Sequence, residues 1–130
     1  MRGTLHHIEL YVKNLKQSKE FWGWLLNELG YTHYQEWNAG ISYKLDATYI
    51  DIVQVEDNYS MPDYHRKHIG LNHLAFHGEN KAFVDEITEK LKEKNVPILY
   101  LDKHPYAGGP DYYAVFFEDP NRIKVEICAY

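Results

Sequence analysis

The chain has 130 residues, with 14 Lys+Arg against 19 Asp+Glu and a formal net charge of −5, a balance that argues against a nucleic-acid partner bound through a broad basic face. The mean hydropathy is −0.56, no run approaches the roughly 18 apolar residues of a membrane span, and the opening Met-Arg-Gly-Thr-Leu-His-His carries no apolar signal segment. The single cysteine, Cys128, excludes an internal disulfide and any CxxC motif, so the expectation is a reduced, cytoplasmic protein without membrane or nucleic-acid partners.

Along the chain, His7 to Val12 alternates apolar and polar residues, the two-residue period of a half-buried strand. Asn14 is a plausible N-cap for a helix carrying Ser18, Trp22, Leu25, Leu26 and Leu29 on one stripe and closed by Gly30. Extended pieces follow at Tyr31 to Trp37, Ile41 to Leu45 and Tyr49 to Val55, with turns at Asn38-Ala39-Gly40 and Asp46-Ala47-Thr48. The polar segment Glu56 to Gly70, with Pro62 and no clear period, reads as a connection.

The pattern then restarts. Asn72 to His77 reads as a strand, Asn80 as a second cap, and Phe83, Val84, Ile87 and Leu91 as a helical stripe stopped by Asn95-Val96-Pro97. Ile98 to Leu101, Tyr112 to Phe117 and Ile123 to Ala129 complete a second set of three strands. His7 and His73 lie 66 residues apart, as do the caps Asn14 and Asn80 and the apolar pairs Phe21 with Ile87 and Leu25 with Leu91. An internal duplication accounts for this spacing. The expected domain spans 1–130, with module one at about 5–57 and module two at about 70–130.

Strand alternation separates the faces. Ile8, Leu10 and Val12 pack toward a helix, and His7, Glu9 and Tyr11 point the other way. Ile50 and Ile52 oppose Tyr49, Asp51 and Val53. Leu74 and Phe76 oppose His73, Ala75 and His77, and Val125 and Ile127 oppose Lys124, Glu126 and Cys128. Each half therefore offers one His on its first strand and one carboxylate on its last: His7 with Asp51, and His73 with Glu126. If the halves pair about a pseudo-twofold, the four converge. Two imidazoles with one or two carboxylates suit a divalent first-row metal with open positions, whether Zn, Ni, Mn or Fe. Glu9, Tyr11, Tyr49 and His77 share these faces and are candidate substrate-pocket residues. The loop His104 to Asp111, rich in Gly and Pro, reads either as a substrate-contacting lid or as a plain connection. The charged positions of the second helix read as a solvated face.

Three stretches carry a family resemblance: His7-Ile8-Glu9-Leu10-Tyr11-Val12, Gly70 to Phe76, and Phe117-Glu118-Asp119-Pro120-Asn121-Arg122-Ile123-Lys124-Val125-Glu126. The chain resembles the vicinal oxygen chelate superfamily, which includes glyoxalase I, fosfomycin and bleomycin resistance proteins and extradiol dioxygenases. The last stretch resembles that family's F-x-D-P-[DN]-G-x-x-x-E signature. The resemblance implies an α+β fold of two tandem β-α-β-β-β modules forming a cupped mixed sheet. It implies His7, His73 and Glu126 as metal ligands, with Glu126 also the proton-transferring base. It further implies a small-molecule substrate chelated through two oxygens, isomerase- or lyase-like chemistry, and a homodimer. Two departures matter. Arg122 replaces the signature's Gly, so that turn is either rebuilt or bears strain. Asp51 is a methylene shorter than the Glu usual in glyoxalase I-like members, so it either completes the donor set or leaves a two-His, one-carboxylate triad of the kind found in iron oxygenases. An extradiol-type dioxygenase and a metal-free ligand-binding or antibiotic resistance protein are the alternatives.

Overall fold

Two strand–helix–strand–strand–strand units follow one another in the computed structural model, which describes residues 2–129. Met1 and Tyr130, the ends of the expected domain, lie outside the described residues. The first unit contains β1 (His7–Val12), α1 (Leu15–Glu28), β2 (Thr32–Trp37), β3 (Gly40–Leu45) and β4 (Thr48–Gln54). The second contains β5 (His73–His77), α2 (Lys81–Glu93), β6 (Ile98–Leu99), β7 (Tyr113–Glu118) and β8 (Lys124–Ala129). The chain divides between Asp63 and Tyr64, and the connection carries a single 3-10 turn at Asp57–Tyr59.

Both helices start where the asparagines predict. The side-chain oxygen of Asn14 accepts from the backbone N–H of Gln17 at 3.1 Å, and that of Asn80 from Phe83 at 2.8 Å, each satisfying an N–H that has no partner within the helix. From α1, Trp22, Leu25 and Leu26 are wholly buried, as are Val84, Ile87 and Leu91 from α2. They meet the apolar sides of the neighbouring strands: Ile41, Ile50 and Ile52 in the first unit, and Val115, Phe117, Val125 and Ile127 in the second. Each fully buried aliphatic side chain contributes about 1.5–3 kcal/mol, so these layers hold each unit together.

The strand orders match. The first sheet runs β1-β4-β3-β2 and the second β5-β8-β7-β6. In each, the first and last strands of the unit are parallel and the remaining pairs antiparallel. Registers match as well. His7 lies beside Tyr49 and Glu9 beside Asp51, and correspondingly His73 lies beside Lys124 and Ala75 beside Glu126. Asp51 and Glu126 thus occupy equivalent positions in an α+β architecture of two tandem modules. Among the described residues no helix is long and apolar enough to cross a membrane.

Tyr100 and Arg122 both take a left-handed backbone that shapes the second unit. β6 stops after two residues, short of the expected Ile98 to Leu101, because Tyr100 takes a φ of 57° and turns the chain out of the sheet. Arg122 keeps the left-handed backbone of the signature glycine, with φ 66°, at a cost of roughly 1–2 kcal/mol for a residue with a Cβ. The turn around it is closed by Asp119, whose Oδ1 accepts from the N–H groups of Asn121 and Ile123 at 2.8 and 2.7 Å. Nε of Arg122 lies 3.4 Å from Glu118.

Gly78, between β5 and α2, permits the close approach of helix and sheet. A Cβ there would stand 2.6 Å from Cγ2 of Ile127 and 3.1 Å from the carbonyl oxygen of Cys128. Gly78→Ala should therefore lower stability by about 1–3 kcal/mol through overpacking, measured by urea denaturation. A midpoint equal to wild type would show that the gap closes freely.

Candidate functional site

In the second unit the site builds on the sheet face that α2 leaves uncovered. Glu126 is 3% exposed, flanked in register by Ala75 on β5 and Phe116 on β7. Its Oε1 accepts a hydrogen bond from the Tyr112 hydroxyl. Its Oε2 lies 3.4 Å from Nε2 of His73. The other imidazole nitrogen, Nδ1, lies 2.8 Å from Oδ1 of Asn72, and the Asn72 amide in turn donates to the Arg66 carbonyl at 3.1 Å. This network turns the Asn72 carbonyl toward the ring and assigns the neutral imidazole's proton to Nδ1. The lone pair on Nε2 then faces a carboxylate oxygen with no proton between them. Either a second proton on the ring or a cation resolves that juxtaposition. The 3.4 Å gap is close to the N···O separation of about 3.3 Å spanned by a tetrahedral ion with bonds of about 2.0–2.1 Å.

The surroundings are mixed in character. Lys124, beside His73 in register, donates to the Tyr100 hydroxyl at 3.0 Å and sits over the rings of Tyr100 and Phe116. His77 lies opposite Cys128. Leu99, Ala107 and Tyr112 pack on Ala114, Phe116 and Cys128, so the Gly/Pro-rich loop lies against part of this face. Hydrogen bonds to the Cys128 thiol and the Glu126 carboxylate, aided by burial, hold the Tyr112 hydroxyl protonated well above the ordinary tyrosine range.

The first unit presents the equivalent face with different neighbours. The His7 ring stacks on Tyr49, with centroids 4.6 Å apart and planes within 8°, and its Nδ1 lies 2.9 Å from Nδ1 of His6. Asp51, 7% exposed, lies between Glu9 and Ser42 in register. Its Oδ1 is buried without a hydrogen-bond partner, which is costly for a carboxylate oxygen unless a cation or proton meets it. Burial first, then the hydrogen bond and like charge of Asp51, raise the Glu9 carboxyl above the usual carboxylate range, while His7 opposes the shift. Tyr11 is exposed beside Val53.

The expected sets are thus realised unequally. His73 and Glu126 meet directly. His7 meets Tyr49 and His6, while Asp51 meets Glu9. Among the described residues no group of three or more His, Cys, Asp or Glu side chains is assembled to hold a metal ion. Within the second unit, the facing acceptors of His73 and Glu126 are donor types that a divalent cation takes. Three contributors escaped sequence reasoning: Tyr112, Asn72 and His6. Asn72 and His6 each precede a candidate ligand by one residue, a spacing that signals little by itself. Tyr112 follows the singled-out loop, and only the folding back of that loop brings it to Glu126.

A family model described as the Glyoxalase/Bleomycin resistance protein/Dioxygenase superfamily matches residues 4–127. The uncharacterized protein YqjT of Bacillus subtilis (strain 168) is 58% identical over 125 residues, 96% of this chain and 98% of that one. The crystal structure of a candidate glyoxalase from Bacillus halodurans superposes with a TM-score of 0.98 at 59% identity, covering 99% of this chain and 97% of the other. The fosfomycin resistance protein FosX of Listeria monocytogenes shares the fold at 24% identity, with a TM-score of 0.72 and coverage of 100% of this chain and 95% of that one.

The paired carboxyls of Glu9 and Asp51 make a titration measurable. Asp51→Asn removes the neighbouring charge, so the Glu9 pKa should fall toward its ordinary value in chelator-treated protein, read from side-chain carboxyl NMR shifts against pH. Because the folded-state value of Glu9 is raised, its contribution to stability is present at low pH and is lost as pH rises through that raised value. The variant should lose part of this dependence. An unmoved Glu9 titration would show that the two carboxyls do not interact.

Proposed function

Because this chain belongs to the Glyoxalase/Bleomycin resistance protein/Dioxygenase superfamily, we propose that it is a small metal-dependent enzyme of the glyoxalase I type, acting as an isomerase or lyase on a small-molecule substrate. The observation that carries this reading is the facing pair of acceptors, Nε2 of His73 and Oε2 of Glu126, 3.4 Å apart. His7, His73 and Glu126 would hold a divalent ion, Zn, Ni, Mn or Fe, with Asp51 as a further donor through its unpartnered Oδ1. A divalent ion bound there supplies Lewis-acid stabilisation of the negative charge developing on an enolate or alkoxide oxygen.

The chain's own residues divide the remaining work. Asn72 holds the His73 ring with Nε2 directed at the site, a partner arrangement typical of metal-ligating imidazoles. Glu126 is the proposed proton-transferring base. Its burial keeps competing water away, which favours transfer to and from substrate over exchange with solvent. Glu9, Tyr11, Tyr49 and His77 are the proposed substrate contacts. Tyr49 supplies a ring face already used by His7, and Glu9 a carboxyl group whose pKa burial and Asp51 raise above the usual carboxylate range. A cytoplasmic setting agrees with the single free cysteine.

Calorimetric titration with Zn, Ni, Mn and Fe(II), combined with metal analysis of the purified protein, tests this. His73→Ala should abolish metal retention while leaving the far-UV circular dichroism unchanged. Unchanged metal content in that variant would overturn the assignment. Absence of binding by the wild type would favour a metal-free ligand-binding protein, and oxygen uptake with a catechol by the Fe(II)-loaded protein would favour a dioxygenase.

A further inference from the structure

The Tyr112 hydroxyl donates to Oε1 of Glu126, while Oε2 of the same carboxylate faces His73. The two oxygens are therefore assigned different tasks. One is occupied by a phenol and the other is presented to the imidazole. A free carboxylate on a strand samples several χ rotamers and can bind an ion through one oxygen or both. A carboxylate whose Oε1 accepts a charge-assisted hydrogen bond has that rotamer held and one of that oxygen's lone pairs occupied, which favours engagement through Oε2.

The tether is itself built into the fold. The N–H of Tyr112 donates to the Gly109 carbonyl at 3.1 Å, and two residues on the N–H of Ala114 donates to the Pro105 carbonyl at 3.0 Å. The Tyr112 ring packs on the cluster of Ala114, Phe116 and Cys128. It also lies directly on Gly108, where an added Cβ would overlap the ring. Loop backbone, apolar cluster and glycine together leave the ring one place to lie, and from that place its hydroxyl reaches Glu126. In the first unit the equivalent carboxylate, Asp51, keeps a buried oxygen without a partner among the described residues and shares its face with Glu9.

We infer that Tyr112 is a positioning residue for the metal site, holding Glu126 so that it engages a cation through Oε2 alone, and that the loop from Tyr100 to Tyr112 exists in part to deliver that hydroxyl. The inference rests on the metal-dependent reading above and adds to it a residue acting through Glu126 rather than on the ion. The unequal environments of the two acids make the second unit the source of the ordered carboxylate.

The test uses the full chain and Co(II), whose visible absorption reports its coordination. Tyr112→Phe keeps the ring and its packing and deletes only the hydroxyl. Co(II) affinity by calorimetry should fall roughly 10- to 100-fold, the range found when outer partners of metal ligands are removed. The Co(II) spectrum should change as Glu126 becomes free to bind through both oxygens, with near-UV circular dichroism as in wild type. Gly108→Ala, which displaces the ring while keeping the hydroxyl, should shift affinity and spectrum in the same direction, and it decides the matter should the first variant misfold. A wild type that binds Co(II), with both variants unchanged in affinity and spectrum, overturns the positioning role alone. A wild type that takes up no Co(II) overturns the metal reading, and the positioning role with it.

Discussion

A parallel pair of strands covered by a helix on one side only is the constraint from which everything else in this molecule follows. In each unit the first and last strands lie side by side, β1 with β4 and β5 with β8. Successive side chains point to opposite faces. One face must bury its aliphatic residues under the helix, as Ile52 and Ile127 do completely. The other face is then free to carry imidazoles and carboxylates. A register slip of one residue in either pair would send Asp51 or Glu126 into the apolar layer and Ile52 or Ile127 out of it. The burial of those isoleucines therefore also aims the acids.

The same frame, used twice, carries different chemistry on its two copies. Where the second unit places Ala75 next to its acid, the first places Glu9. Where the second has Phe116 on the other side, the first has Ser42. The flanking Glu9 makes Asp51 half of a carboxyl pair, whereas Glu126 is tethered by Tyr112 and faces His73. Paired carboxyls in a partly buried setting share a proton or attract a cation, because two adjacent negative charges in low dielectric are costly. A carboxylate that accepts from a phenol on one oxygen, as Glu126 does from Tyr112, is held in its orientation. The repeated frame gives both acids the same strand position, and the flanking side chains together with the loop that delivers Tyr112 make their surroundings differ.

The loop between β6 and β7 sets the second unit apart. In the first unit β2 and β3 join through the short Asn38–Ala39 turn, whereas the second spends residues 100–112 on the same connection. Tyr100 leaves the sheet through a left-handed conformation, and the chain returns with Ala107 and Tyr112 packed on the sheet face. A connection of that length without regular structure is more often functional than not.

Much was legible in the residues themselves. Alternation in His7 to Val12 and in Lys124 to Ala129 assigns faces, the asparagines at 14 and 80 mark helix starts, and the 66-residue offset reveals the repeat, because each of these is a local pattern. The acids Asp51 and Glu126 fall at equivalent strand positions for the same reason. What local pattern cannot state is who stands next to whom. Whether His7 meets Asp51 or Tyr49, whether Glu9 meets Asp51, and whether a tyrosine fourteen residues upstream reaches Glu126 depend on cross-strand register and on the return path of a loop. Those are set by long-range packing, by the helices closing on their sheets, and so only the tertiary structure decides them.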